Sequence, residues 1–203
     1  MRHTAHSSSL TLAQTLGRFA AEFPSSELPS VALERAKMSL ASTFSSAAMG
    51  VSIDSARIVR DLECSLAPTG TSSVWFEVGH LPVDRASRVN ALASDAAASD
   101  DSDMRSIAHI GTIVSTTGVA MAERLDSSGR ELLAAMVLGY EVAGRVDEAL
   151  TPGRMQRGFH GSVSTIFGGA VTAGRLLGLD AAHMAQAIAI AATSAGGMAM
   201  AAD

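Results

Sequence analysis

Two short stretches of the sequence hold most of the side chains that could transfer a proton or bind an anion. The first, "SDDSDMRSIAHIG", contains Asp100, Asp101, Ser102 and His109. A run of small and apolar residues at helical spacing follows it, so we expect His109 near the N-terminus of a helix. Backbone N–H groups at a helix N-terminus favour a bound anion.

The second stretch, "RMQRGFHGS", contains Arg157, His160 and Ser162 and also precedes a helix of small residues. An imidazole beside a bound carboxylate can act as a base on the neighbouring carbon or as an acid towards a leaving group. A histidine in a helical protein more often caps a helix or makes a hydrogen bond in the core. Acidic loops are likewise more often solvated turns, so both interpretations stay open at this level.

Motifs for other kinds of catalytic site are absent. No H-x-x-x-H or H-E-x-x-H spacing occurs, and we therefore predict no metal site. The sequence "GFHGS" does not match the nucleophile elbow G-x-S-x-G, which disfavours a serine hydrolase. The single cysteine, Cys64, excludes a disulfide framework within the chain and cannot by itself hold an iron–sulfur cluster.

Composition indicates a folded protein with a sizeable core. Hydrophobic residues make up 47% of the 203 residues and charged residues 17%. The net charge of −5, without a stripe of lysine and arginine, argues against nucleic-acid binding. No apolar run reaches membrane-spanning length, and the first residues lack a signal-peptide core. We therefore expect a cytoplasmic protein that contacts neither nucleic acid nor membrane.

Hydrophobic periodicity predicts an all-α fold of packed helices with at most one short strand, in the run "SSVWFEV". Ser128 and Glu131 form a capping box before one long helix. Further helices are predicted over about 162–177 and 180–195. We interpret residues 1–203 as a single domain, with residues 1–9 as a flexible tail. Scarce aromatic and abundant small residues favour close helix packing.

Two segments together resemble the MmgE/PrpD family, whose members include 2-methylcitrate dehydratase, cis-aconitate decarboxylase and iminodisuccinate epimerase. The first, "NALASDAAASDDSDMRSIAHIG", is similar to the family pattern N-G-x-x-A-H-x-L-D-F-D-D-T…H-P-G. The second, "RGFHGSVSTIFGGAVTAGRLLGLD", is similar to R-G-F-H-x-T…G-x-F-G-A-A…A-x-L-L-G-L-D. The resemblance implies a helical domain joined to an α+β lid domain. It also implies cofactor-independent elimination, decarboxylation or epimerisation next to a carboxylate.

The resemblance assigns roles to the residues already singled out. The two family histidines fall on His109 and His160, which become the predicted catalytic pair. The predicted substrate-binding residues are the two last acids of D-F-D-D, the hydroxyl that follows them, and two residues of the R-G-F-H-x-T block: Asp100, Asp101, Ser102, Arg157 and Ser162. No cofactor is expected, and the substrate is a small molecule.

The sequence departs from the family pattern at several positions, and these departures lead us to expect a partner chain. Ala98 stands at the first acid of D-F-D-D, Asp95 at the histidine before it, and Ile110 at the proline of H-P-G. The sequence stops before the family's lysine- and histidine-containing segment and its lid domain. We therefore expect one half of a split lyase or isomerase, completed by a complementary MmgE/PrpD-like chain that carries the lid. The alternatives are an inert helical subunit that stabilises or regulates a complete homologue, and a piece of a longer protein.

Overall fold

The computed structural model describes residues 10–67, 69–105 and 107–199, and this part of the chain forms a helical bundle. The eight α-helices of these ranges are α1 (Leu12–Glu22), α2 (Ser30–Gly50), α3 (Asp54–Leu66), α4 (Val83–Ala96), α5 (Ile110–Leu125), α6 (Gly129–Leu150), α7 (Thr165–Leu176) and α8 (Ala181–Ser194). The all-α prediction is therefore confirmed. The predicted tail, residues 1–9, lies outside the described residues.

The strand-like run contributes only two residues to a small antiparallel pair. Strand β1 (Ser72–Ser73) pairs with β2 (His80–Leu81). The run does not continue as a strand because Trp75 is held by the helices below it: its backbone N–H donates to Asn90 Oδ1 at 2.9 Å. The Trp75 ring also packs on Phe44, with 4.2 Å between ring centroids. A buried aromatic side chain, rather than a longer ladder, fixes this segment.

Side-chain hydrogen bonds cap the N-termini of two of the long C-terminal helices. At the start of α6, Ser128 Oγ accepts from the Glu131 N–H at 3.3 Å, and the Glu131 carboxylate accepts from the Ser128 N–H at 2.7 Å. This is the predicted capping box. At the start of α8, the Asp180 carboxylate accepts from the His183 N–H at 2.8 Å. Each cap satisfies a backbone donor that the helix leaves unpaired.

Two of the apolar clusters of the core share α6. One cluster joins α1, α6, α7 and α8 through buried residues that include Leu138, Val171 and Met184. The other joins α5 to α6 through Val114 and Met136. Because α6 contributes to both clusters, it links the two halves of the helical bundle. Nowhere in the described ranges does a helix have the length and apolar character needed to cross a bilayer.

Glycines allow the helices of the bundle to touch at backbone distance. At the α6–α7 crossing, a Cβ on Gly139 would lie 2.1 Å from Thr172 Oγ1 and 2.7 Å from the Gly168 carbonyl oxygen. At the α2–α4 crossing, a Cβ on Gly50 would lie 1.9 Å from the Ala93 carbonyl oxygen. All three separations are shorter than any van der Waals contact, so these crossings require glycine.

Gly139→Ala should lower the free energy of unfolding by about 1–3 kcal/mol, because the added methyl group overpacks the α6–α7 crossing. Gly129→Ala is the matched control in the same helix, since nothing lies within 4 Å of a Cβ built there. It should leave stability unchanged or raise it by up to about 1 kcal/mol. Urea unfolding followed by far-UV circular dichroism measures both. Equal effects of the two substitutions would contradict the packing argument.

Candidate active site

His109 and Asp100 form a hydrogen-bonded pair at the start of α5. His109 is the residue immediately before the helix, and its Nδ1 lies 3.1 Å from Asp100 Oδ1. The Asp100 side chain is fully buried, whereas the His109 side chain is 34% exposed. Thr112, in the first turn of α5, donates its hydroxyl to the other oxygen of Asp100. The carboxylate is thus fixed by α5 and in turn fixes the imidazole.

This hydrogen bond determines which nitrogen of the His109 ring can react. A carboxylate oxygen only accepts, so Nδ1 carries the shared hydrogen and Nε2 is left with the lone pair when the ring is neutral. His109 also lines a cleft of about 510 Å³, with Thr112 and Ser162 among its walls. The geometry is that of a general base held in one orientation by a buried acid.

His160 lies beside the cleft rather than in its wall. Its side chain is exposed, and its Nδ1 accepts from the Ser162 N–H at 3.2 Å. Its backbone N–H donates to the Gly197 carbonyl oxygen at 2.9 Å. Ser162 itself lines the cleft. The His160 ring therefore lies next to a residue of the same cleft that His109 lines. His109 and His160 therefore belong to neighbouring loops that meet at Ser162.

The loop that carries His160 is anchored by a buried polar cluster, which sequence reasoning missed. Arg154 and Ser164 both donate to Asp147 Oδ1 on α6, and all three side chains are at most 4% exposed. The cluster also explains why α7 begins at Thr165, three residues after the predicted start: the residue before it is held by Asp147. In the sequence, Asp147 could have indicated this cluster, because it is an acid on the buried face of α6, one turn from Ala143.

Arg105 ties the acidic loop to the same helix. Its guanidinium makes two hydrogen bonds with Asp103, at 3.0 and 2.7 Å, and a third with Glu148 of α6 at 3.3 Å. The hydrogen bonds from Arg105 hold the pKa of Asp103 below its usual value. A Cβ on Gly144 would lie 2.7 Å from Arg105 Nη2, so the glycine lets the arginine lie against α6.

Asp101 and Ser102 are not among the residues that line the His109 cleft. They line a second cavity of about 580 Å³ between α2, α5 and α6, where Ser39 Oγ donates to Asp101 Oδ2 at 2.9 Å. Burial is the main cause that raises the pKa of Asp101, and the charge of Asp100 adds to it. The hydrogen bond from Ser39 opposes this increase. Asp100 thus lies behind His109, whereas Asp101 lines the second cavity.

The structure therefore divides the predicted site residues into three groups. His109 and Ser162 line the cleft, Asp100 lies behind His109, and His160 lies next to Ser162. Asp101 and Ser102 lie in the second cavity. Arg157 is exposed and donates to the Leu150 carbonyl oxygen at 3.2 Å, so it contacts the end of α6 and lines neither cavity. Among the residues described, no group of three histidine, cysteine or acidic side chains could hold a metal ion.

Comparison with protein families identifies the chain. The family model of the MmgE/PrpD N-terminal domain matches residues 14–202. The chain belongs to this family. No curated protein gives a significant match to the chain. The family assignment confirms the resemblance read from the two motif segments, including the region of both histidines.

The MmgE/PrpD chain departs from its family pattern at a residue with an unusual backbone conformation. Ala98, which stands where the pattern has its first acid, has φ = 48°. Alanine is disfavoured in this left-handed region, which aspartate tolerates better.

Asp147→Ala should lower the free energy of unfolding by about 3–5 kcal/mol, because it removes the buried carboxylate to which Arg154 and Ser164 donate. Glu141→Ala is the matched control: it removes an exposed i,i+4 ion pair with Arg145 from the same helix and should cost at most about 1 kcal/mol. Urea unfolding of each variant measures the difference. Similar losses for the two variants would show that the buried cluster does not anchor the loop.

Asp101→Asn should change how stability depends on pH. The folded state holds the Asp101 proton more tightly than the unfolded chain does, because the pKa is raised on folding. As pH rises from about 4 through the raised pKa, this proton is lost and the free energy of unfolding falls. The asparagine variant lacks this contribution. Urea unfolding at a series of pH values should therefore show wild type losing stability relative to the variant, and parallel curves would contradict the assignment.

Proposed function

We propose that this chain is the helical half of a cofactor-independent lyase or isomerase that moves a proton next to a carboxylate or carbonyl group. The observation that supports this proposal is the His109–Asp100 pair, with its 3.1 Å hydrogen bond at the wall of a cleft. A buried carboxylate behind a partly exposed imidazole is an arrangement suited to general base catalysis. The membership in the MmgE/PrpD family is consistent with this chemistry.

In the proposed reaction, Nε2 of His109 takes the proton from the carbon next to the carboxylate. The C–H bond breaks, an N–H bond forms, and the electron pair of the C–H bond moves into the enolate. The Asp100 carboxylate stabilises the imidazolium that results. Backbone N–H groups at the N-terminus of α5 favour the negative charge of the substrate.

His160 is the proposed proton donor for the second step. In an elimination, it protonates the hydroxyl that leaves the β-carbon, so that water departs as the enolate collapses to a double bond. In an isomerisation, the same enolate receives a proton on its opposite face instead. Both outcomes need one base and one acid on neighbouring loops, which is how His109 and His160 are arranged around Ser162.

A partner chain with cationic groups forms part of the proposal because an enolate next to a carboxylate concentrates negative charge. Among the described residues that line the cleft, the basic side chain besides His109 is Arg88, and it donates to Glu63 at 2.6 Å. We propose that a lid-carrying MmgE/PrpD chain supplies the missing positive charge. Without that contribution, the chain would act as a helical subunit with no turnover of its own.

The test is solvent deuterium incorporation into a panel of small di- and tricarboxylic acids and keto acids in D₂O. The tagged chain is purified from its native cells so that a bound lid chain is retained. Wild type should exchange the proton next to a carboxylate, and His109→Ala and His160→Ala should each reduce exchange by about a hundredfold or more. Nuclear magnetic resonance detects the lost proton signal.

His183→Ala is the matched control. His183 also pairs with an aspartate at a helix start, with 2.8 Å between Nδ1 and Asp180 Oδ1, but it is exposed and lines neither cavity. Its removal should leave exchange unchanged. Unaltered exchange in both His109→Ala and His160→Ala would refute the site. Absence of exchange with every acid, in a chain that co-purifies with a complete homologue, would favour the inert-subunit alternative.

A further inference from the structure

The His109 cleft has an apolar wall that the proposed proton transfer does not use. Its apolar residues come from three helices: Val59 of α3, Ala91 and Leu92 of α4, and Ile113 of α5. All four side chains are half-buried, so each still presents apolar surface. The cleft volume of about 510 Å³ falls within the range of ligand sites in proteins. The cleft therefore has room for a group larger than a single carboxylate.

Two of the hydroxyl groups at the cleft already donate within the protein. Thr112 donates to Asp100, and Thr165 donates to the Ser162 carbonyl oxygen at 2.8 Å. A hydroxyl has one hydrogen to donate, so neither threonine has a hydrogen left for a substrate. The neutral polar groups of the lining that remain for a substrate are the imidazole of His109 and the hydroxyl of Ser162. Polar contacts with a substrate are therefore few, and they come from the two histidine loops.

The charged residues at the cleft do not favour a substrate with several carboxylates. Arg88 shares the buried carboxylate of Glu63 with Arg85, and Asp95 brings a further carboxylate to the cleft wall. These four groups have no net formal charge together, and the buried Asp100 adds one negative charge. A second carboxylate of a substrate would therefore be repelled in this cleft rather than bound.

The apolar residues lie beside the proposed base. Ile113 is one turn after His109 along α5, and residues four apart lie on the same side of a helix. On α4, Leu92 lies one turn from Arg88 and one turn from Asp95, so apolar surface separates the two charged groups. A substrate whose reacting carbon is at His109 would therefore have apolar side chains next to the substituents of that carbon.

We propose that this cleft selects a substrate with one carboxylate and an apolar chain of several carbon atoms, packed on Val59, Leu92 and Ile113, over small polycarboxylates. This inference rests on the proposed function, because it takes His109 as the base. Burial of the chain supplies binding free energy, which grows with each methylene group removed from water. The single carboxylate is left for the positive charge of the proposed lid chain.

The experiment compares three 2-oxo acids on the tagged chain purified from its native cells. 2-Oxooctanoate and 2-oxobutanoate share the reacting group and differ by four methylene groups, whereas 2-oxooctanedioate has a second carboxylate at the far end of the long chain. Isothermal titration calorimetry measures binding. Wild type should bind 2-oxooctanoate at least about tenfold more tightly than either of the other acids. Deuterium exchange at C3 in D₂O, followed by nuclear magnetic resonance, should show the same order.

Three variants assign this preference to the cleft wall. Leu92→Asn should reduce the preference for 2-oxooctanoate over 2-oxobutanoate at least about threefold, because it removes apolar surface from the wall. Asp95→Asn should reduce the preference over 2-oxooctanedioate by a similar factor, because it removes a repelling charge. Ile190→Asn is the matched control: it removes an exposed apolar side chain of α8 that lines neither cavity, and should change neither preference. Val59→Asn replaces Leu92→Asn if circular dichroism shows that the latter does not fold.

The proposal is wrong if wild type binds the two monocarboxylates equally, if 2-oxooctanedioate binds as tightly as 2-oxooctanoate, or if a folded variant of the apolar wall keeps the full preference. It is also wrong if Leu92→Asn loses a lid chain that wild type retains, because the apolar wall would then belong to the interface between the chains. Exchange that is independent of chain length would contradict this inference alone. Absence of exchange with all three acids would contradict the proposed function, while binding that depends on chain length would still support an apolar ligand.

Discussion

The C-terminal part of α6 is the structural element on which both histidine loops depend. Asp147 holds the His160 loop through Arg154 and Ser164, and Glu148 accepts a hydrogen bond from Arg105 of the acidic loop. A buried carboxylate is costly unless its partners are in place, so the fold is stable only when the His160 loop adopts this one position. The hydrogen bonds accepted by α6 thus fix the positions of the two loops at the cleft.

Close packing of α6 on α7, and of α7 on α5, fixes the position of α5 relative to α6. Gly139 of α6 faces Gly168 of α7 at backbone distance, and a Cβ on Gly168 would lie 2.9 Å from Val114 of α5. The three helices therefore meet at one point without a layer of large side chains between them. Because α5 begins just after His109 and α7 begins just after Ser164, the position of α5 relative to α7 determines how the two loops face each other.

Local patterns in the sequence were sufficient to predict the helices and to recognise the family. The capping box of Ser128 and Glu131 and the helical spacing of small residues each depend on near neighbours, and the structure contains both. The different partners of Asp100 and Asp101 could not be predicted in this way, because loop residues have no periodicity that assigns a side. The roles of Asp147 and Ser39 depend on partners many residues away, which only the tertiary fold brings together.

The electrostatics of the cleft explain why the proposed function includes a second chain. Asp100 lies behind His109, Asp95 lines the cleft, and Arg88 is engaged by Glu63. The described lining therefore has no excess of positive charge with which to attract a carboxylate. In the proposed function, the helical half therefore supplies an oriented base, and the proposed lid chain supplies the positive charge that binds the substrate.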